Sequence, residues 1–153
     1  MKLTEHFTLT EMTASSTARR LGLNNELPPA LFGNLQCLAE MLERVRTQLG
    51  GRPLIVTSAY RSREVNRAVG GVATSDHTLG HAADVLCPDY GRPHQVAKAL
   101  VPHLQHLGIG QIILEGVKGK QWLHLSTRVP DKAMNRVITI TDAGVQLGIQ
   151  ELA

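Results

Sequence analysis

The apolar positions along the chain fall into blocks of different period. Leu31, Leu35, Leu38, Leu42, Val45 and Leu49 recur at alternating steps of four and three, which sets them on one face of a helix. Gly50-Gly51 ends it. Residues 53–57 are a short apolar run rich in β-branched side chains and predict a buried strand. Residues 62–69 predict a short helix capped by Ser62 and closed by Gly70-Gly71. Residues 72–81 are small and polar and read as a loop, and 83–87 predict a second strand. Residues 94–107 carry Val96, Ala97, Leu100, Val101, Leu104 and Leu107 at helical spacing, with Pro102 placed to kink or end the helix. Residues 111–115 and 122–126, joined by a Gly- and Lys-rich turn, predict a β-hairpin. Residues 136–141 predict a last strand, followed by an Asp-Ala-Gly turn. A helix-rich half before a small, mostly antiparallel sheet is an α+β pattern.

Upstream of the long helix, residues 1–29 read as an N-terminal adaptor segment of a single domain spanning 1–153. Thr8, with Glu11 three residues later, predicts the cap of a short helix. Residues 24–29 are polar, end in two prolines and predict a loop.

Composition narrows the function classes. Aromatic residues make up 3% of the chain, too few for a platform that stacks single-stranded nucleic acid. The formal charge of +3 is a mild excess, not the dense basic stripe of a DNA-binding domain, but it favours an anionic polymer such as a bacterial wall. No segment has the apolar length of a membrane span, so no membrane insertion is expected. Residues 1–10 lack the apolar run of a signal peptide. The expectation is cytoplasmic synthesis, followed by action at the wall after release or association with a virion. Two cysteines, Cys37 and Cys87, make no disulfide framework, and both are expected as buried thiols.

Three residues stand out as candidate chemistry. His77 lies in a loop of small residues. Asp84 begins an apolar strand, where a carboxylate is costly unless paired. His124 sits between Leu123 and Leu125 and shares a strand face with Trp122 and Ser126. Two imidazoles and a carboxylate form a standard set for one catalytic Zn2+ ion. A rival pair, His77 and His81, has the i, i+4 spacing of a helical zinc site. It lacks the glutamate after the first histidine, and Gly80 weakens a helix there. A purely structural zinc would need a fourth ligand, and Cys87 is the candidate. Alternation puts Cys87 on the other strand face from Asp84. His6, His94, His103 and His106 read as surface residues.

The pattern Ser75-x-His77-x-x-Gly80-x-Ala82-x-Asp84 is preceded by Ser58-Ala59-Tyr60-Arg61-Ser62 and followed by Trp122-x-His124-x-Ser126. Three blocks in this order resemble the zinc D-Ala-D-Ala carboxypeptidase-like peptidases of the M15 family. The stretch Asn66-Arg67-Ala68-Val69-Gly70-Gly71 is most similar to short phage and prophage members. The resemblance spans roughly residues 4–127. It implies a carboxypeptidase- or hedgehog-like α+β fold, in which helices pack on a sheet carrying one zinc site. His77, Asp84 and His124 match the metal ligands, and Arg61 matches an arginine that binds substrate and stabilises the developing oxyanion. Ser75 and Tyr60 match positions that contact substrate or ligands. Several relatives carry a Glu or His three residues before the last histidine ligand, where this chain has Gln121, which cannot act as a base. Glu115 is the expected general base, with Asp76 and His81 as alternatives. The implied function is hydrolysis of a peptide bond in the peptidoglycan stem, as a carboxypeptidase or an endopeptidase, in phage-derived wall lysis. A wall-binding or virion protein that keeps the fold without turnover is the alternative.

Overall fold

The computed structural model describes residues 1–152. Six strands form one sheet: β1 (Ile55–Ser58), β2 (Ala82–Leu86), β3 (Gln111–Val117), β4 (Lys120–Ser126), β5 (Val137–Thr141) and β6 (Gly144–Leu147). Their spatial order is β1-β2-β4-β3-β5-β6. Every neighbouring pair is antiparallel except β3 and β5, which are parallel. The helices are α1 (Leu9–Thr13), α2 (Ser16–Leu21), α3 (Phe32–Gln48), α4 (Arg63–Ala68), α5 (Pro93–Leu100) and α6 (Leu104–Leu107). This is the expected α+β class with a mostly antiparallel sheet.

The sheet has one face in the core and one over a cleft. Ala83, Val85, Ile112, Leu114, Leu123 and Leu125 alternate along β2, β3 and β4 and join one buried cluster with the α3 stripe Leu35, Leu38, Leu42 and Val45. The intervening residues point the other way. At Pro102 the expected break occurs. Helix α5 stops at Leu100, a single 3-10 turn spans Val101–His103, and α6 resumes the apolar face with Leu104 and Leu107. The β3–β4 turn takes Lys118 and Gly119 through φ of 53° and 77°, the left-handed pair that matches the twist of a tight hairpin.

Several elements differ from their sequence expectation. β1 is a sheet edge with Ile55 46% exposed, not a buried strand. The run 53–57 carries the β-branched signal of a strand but nothing that distinguishes an edge from a centre. β5 is not the last strand, because β6 follows it. All four β6 residues are exposed, so the strand is held by backbone pairing to β5 and leaves no amphipathic trace. Helix α2 has a Ser15 cap and a left-handed Gly22 stop, but it buries only Ala18, too little for a periodic signal. Cys87 is buried as expected, whereas Cys37 is exposed. Cys37 lies two residues past Leu35, about 200° around the helix, and so turns away from the stripe.

Residues 1–29 pack against the rest of the chain. Phe7 and Met12 are fully buried in the common cluster. Thr8 caps α1 as expected, its Oγ1 accepting from the Glu11 N–H at 3.1 Å. Asn25 ties this segment to the loop after β1. Its Nδ2 donates to the Thr13 carbonyl at 2.8 Å and to the Tyr60 carbonyl at 3.2 Å, while its Oδ1 accepts from the Ser62 N–H at 2.7 Å. Leaving such groups unpaired costs about 1–3 kcal/mol. Asn25→Ala is therefore expected to lower stability by about 1–3 kcal/mol in urea unfolding at constant slope. An unchanged midpoint would show that these bonds do not hold the segment.

Candidate metal centre

The sheet register assembles the site. Asp84 of β2 pairs with His124 of β4 and with Ser58 of β1, and His124 pairs with Ile113 of β3. Directly paired residues share a face, so these four form one row across the sheet. Two residues along, Glu115, Trp122 and Ile140 form the next row on the same face. A cleft of about 700 Å3 lies over both rows. His77 comes from a 3-10 turn, Asp76–Leu79, that precedes β2. Ser75 Oγ caps this turn by accepting from the His77 N–H at 3.3 Å. Gly80, at φ 75°, ends it and turns the chain into the strand.

Three side-chain ligand atoms converge in the cleft. Asp84 Oδ1 lies 3.2 Å from His77 Nε2 and 3.3 Å from His124 Nδ1, and the three ligand atoms fall within 4.8 Å of one another. The two rings meet edge to face at 5.1 Å. His77 Nδ1 lies 2.7 Å from the Ala59 carbonyl, which can only accept. That bond assigns the ring proton to Nδ1 and turns the Nε2 lone pair toward Asp84. Burial pushes the His77 imidazole below its ordinary value, and the Arg61 charge adds to this while Asp84 partly offsets it. Desolvation alone would raise the Asp84 carboxyl, but the imidazoles of His77 and His124 hold it well below the usual carboxylate range. A buried carboxylate between two imidazole nitrogens is a donor set that a shared cation would complete. Among the described residues, the side-chain cation within ion-pair reach of Asp84 is Arg61, at 3.6 Å. Neighbouring ligand atoms on a tetrahedral zinc stand about 3.3 Å apart, given bonds of about 2.0–2.1 Å. The observed spacings fit that donor set.

Arg61 is nearly buried. Its Nη1 donates to Asn66 Oδ1 at 3.1 Å, and among the described residues its Nε has no hydrogen-bond partner. Asn66, 3% exposed, also donates to the Val72 carbonyl at 2.8 Å. Gly71 lies so close to the Asn66 amide that a Cβ there would collide with it. Desolvation and the Asp84 charge raise the Glu115 carboxyl above its ordinary value, with partial offsets from His124, the Trp122 indole and Arg61. The Trp122 N–H is buried and, among the described residues, has no partner in hydrogen-bonding geometry. Gln121 pairs with Gly116 and alternates to the opposite sheet face from His124.

The remaining candidates are distributed as follows. Ser75 lines the cleft, whereas Tyr60 is 5% exposed within the core and does not. Asp76 is buried and fully engaged: Oδ2 accepts from Ser126 Oγ and Oδ1 from Arg128 Nε, both at 2.7 Å. The His81 ring lies against Thr127, outside the cleft lining, and is not among the three converging ligands. Cys87 belongs to the core cluster, away from the metal face. His6, His94, His103 and His106 are exposed or half-exposed and lie outside the cleft. Sequence reasoning missed Arg128 and the part played by Asn66. Asn66 stands within the stretch that carries the family resemblance, but Arg128 has no local pattern to mark it.

The depressed imidazole has a thermodynamic consequence. Unfolded His77 titrates near 6.5 and the folded residue lower, so between those values the unfolded chain binds more protons. The metal-free protein is thus expected to lose stability as pH falls below 6.5, with Asp84 adding a further loss in the more acidic range below 3.8. Urea unfolding at pH 7.5 and 5.5 tests this. His77→Gln should flatten the dependence between those two pH values, and an unaltered dependence would contradict the assignment.

Comparison with known proteins bears on the same residues. A curated relative, the zinc D-Ala-D-Ala carboxypeptidase of Streptomyces albus G, is 33% identical over 78 residues. That alignment covers 51% of this chain and 29% of the relative, so the chain spans well under two-thirds of the relative's length. The sequence model of the family described as Peptidase M15 matches residues 5–125, from the N-terminal segment through the hairpin that carries His124. With most of its length matched, and with every converging ligand inside the match, the chain belongs to the Peptidase M15 family.

Proposed function

We propose that the chain is a zinc metallopeptidase that hydrolyses a peptide bond in the peptidoglycan stem. The observation that carries this reading is the convergence of His77 Nε2, Asp84 Oδ1 and His124 Nδ1 in a cleft that also holds Arg61 and Glu115. The zinc named for the Streptomyces relative supports that choice of metal. When bound, zinc supplies Lewis acidity, lowering the pKa of water and polarising a carbonyl oxygen.

The chain's own residues supply the rest. The Ala59 carbonyl fixes the tautomer and orientation of His77, as outer contacts do at metal sites. Among the described residues, the carboxylates lining the cleft are Asp76, Asp84 and Glu115. Asp76 is spent on Ser126 and Arg128 and Asp84 on the metal set, which leaves Glu115 as the general base. Its raised pKa suits it to accept the proton of the attacking water and deliver it to the leaving amine. Arg61, held by Asn66 and Asp84, presents its guanidinium to the oxygen on which charge develops. Ser75 shapes the rim through its cap on the His77 turn. Tyr60 acts from the core by fixing the Arg61 loop, its backbone N–H bonded to the Met12 carbonyl. The resemblance to short phage and prophage members supports a role in host-wall lysis or penetration.

Purified peptidoglycan and short peptides ending in D-Ala-D-Ala are the substrates to test. Chelator-sensitive release of D-alanine or peptide is expected from the zinc-loaded protein. Glu115→Gln should lower kcat by roughly 10²–10⁴ while zinc content stays at one ion per chain. His124→Ala should lose the zinc itself. Stoichiometric zinc without release from any wall type would replace the peptidase reading with a wall-binding protein. Full activity in Glu115→Gln would remove Glu115 as the base.

A further inference from the structure

We infer that Arg128 anchors the free C-terminal carboxylate of the substrate, which makes the reaction a carboxypeptidase cleavage. The inference rests on the peptidase reading above and assigns the part of that reaction left open between exo- and endo-cleavage.

Arg128 is built into the site rather than placed loosely beside it. Its backbone N–H donates to Ser126 Oγ at 3.1 Å. The Gly110 N–H donates to the Ser126 carbonyl at 2.8 Å. A Cβ on Gly110 would collide with the Arg128 carbonyl, so the start of β3 fixes the Arg128 backbone. The side chain is held by one donor only, Nε to Asp76 Oδ1 at 2.7 Å. Asp76 is 8% exposed, and its other oxygen is taken by Ser126 Oγ. Among the described residues, Nη1 and Nη2 make no hydrogen bond. Nη1 stands 3.9 Å from Asp131, a carboxylate 99% exposed and therefore well screened. The guanidinium thus lines the cleft with its terminal fork open, and that edge grips a carboxylate with two parallel bonds.

Its location ties it to the metal face. Ser126 lies two residues beyond His124 on the same strand face. Asp76 adjoins His77. Arg128 is therefore tied to both elements that carry imidazole ligands, and it lines the same cleft as those ligands, Arg61 and Glu115. A peptide seated over the ligands lies in one cleft with a second guanidinium, and a free C-terminal carboxylate is the anion that a carboxypeptidase substrate brings to it. Arg61 is already engaged with Asp84 and Asn66, so the two guanidiniums have different work. Arg61 meets charge that develops during reaction, while Arg128 meets charge present throughout and so contributes uniform binding.

The test uses an acetylated peptide ending in D-Ala-D-Ala, its C-terminal carboxamide, and that carboxamide with an internal glutamate. Binding to the metal-free protein is measured by calorimetry and hydrolysis by the zinc-loaded protein, for wild type, Arg128→Met and Arg128→Lys. Wild type is expected to bind the free acid at least about tenfold more tightly than the amide, as for a hydrogen bond to a charged group. In Arg128→Met that ratio should approach one, and KM for the acid should rise with kcat changed far less. Arg128→Lys keeps a cation for Asp76 and should give a folded protein with an intermediate ratio. An undiminished acid-to-amide ratio in Arg128→Met overturns the inference. So does equal weakening for acid and amide with a lowered unfolding midpoint, which would make Arg128 only the counter-ion of Asp76. Arg128-dependent binding confined to the internal glutamate would overturn the terminal assignment. If wild type neither binds nor cleaves any of the three, the peptidase reading itself falls and this inference with it.

Discussion

A carboxylate taken out of water must be compensated, and the burial of Asp84 is the constraint around which the site is built. Its Oδ1 stands 3.2 Å from His77 Nε2 and 3.3 Å from His124 Nδ1. Among the described residues the nearest side-chain cation is Arg61, at 3.6 Å. A carboxylate and two imidazoles converging in a desolvated cleft form a donor set that a shared cation would complete. The fold is organised to keep these atoms together. The Ala59 carbonyl prevents the His77 ring from turning its N–H toward Asp84, and burial discourages a second proton. The site is therefore held open by the packing around it.

That packing is sheet geometry. The pairing of β2 with β4 sets Asp84 opposite His124 although forty residues separate them in sequence. A slip of one residue would send His124 into the core and bring Leu123 or Leu125 to the cleft. The register is secured from behind, where those same leucines are fully buried against α3 and α5. Hydrophobic burial on one face thus specifies electrostatics on the other. Helical and loop elements then add single side chains: His77 from a capped turn, Arg61 steadied by Asn66, and Arg128 by Asp76.

Much of this was legible because it is local. The α3 stripe, the break at Pro102 and the tight β3–β4 turn each follow from a period or a backbone preference over a few residues. The converging trio of His77, Asp84 and His124 was legible because an isolated aspartate and histidine in apolar strands demand a reason, and because three separated blocks resemble one family. What was not legible is nonlocal or carries no buried side chains. The β6 strand exists through backbone bonds alone, and α2 buries a single alanine. The edge position of β1 depends on which strands come later in the order. The placement of Arg128 depends on Asp76, fifty-two residues away, a carboxylate whose partners the sequence does not announce.

Gln121 shows how chain spacing and spatial position part company. Three residues before His124 invites comparison with relatives that carry a base there. On a strand, however, an odd offset reverses the face. Gln121 sits opposite Gly116, with Leu152 beside that glycine, while His124 looks into the cleft. A carboxylate at position 121 would point away from the metal, so its absence removes nothing from the centre. The row that does face the centre is reached across the hairpin, through Trp122 and its partner Glu115. For a chain whose last ligand lies inside a regular strand, the proton acceptor has to be sought at even offsets and on the neighbouring strand. By that criterion the absence of an acid at position 121 is no argument against turnover.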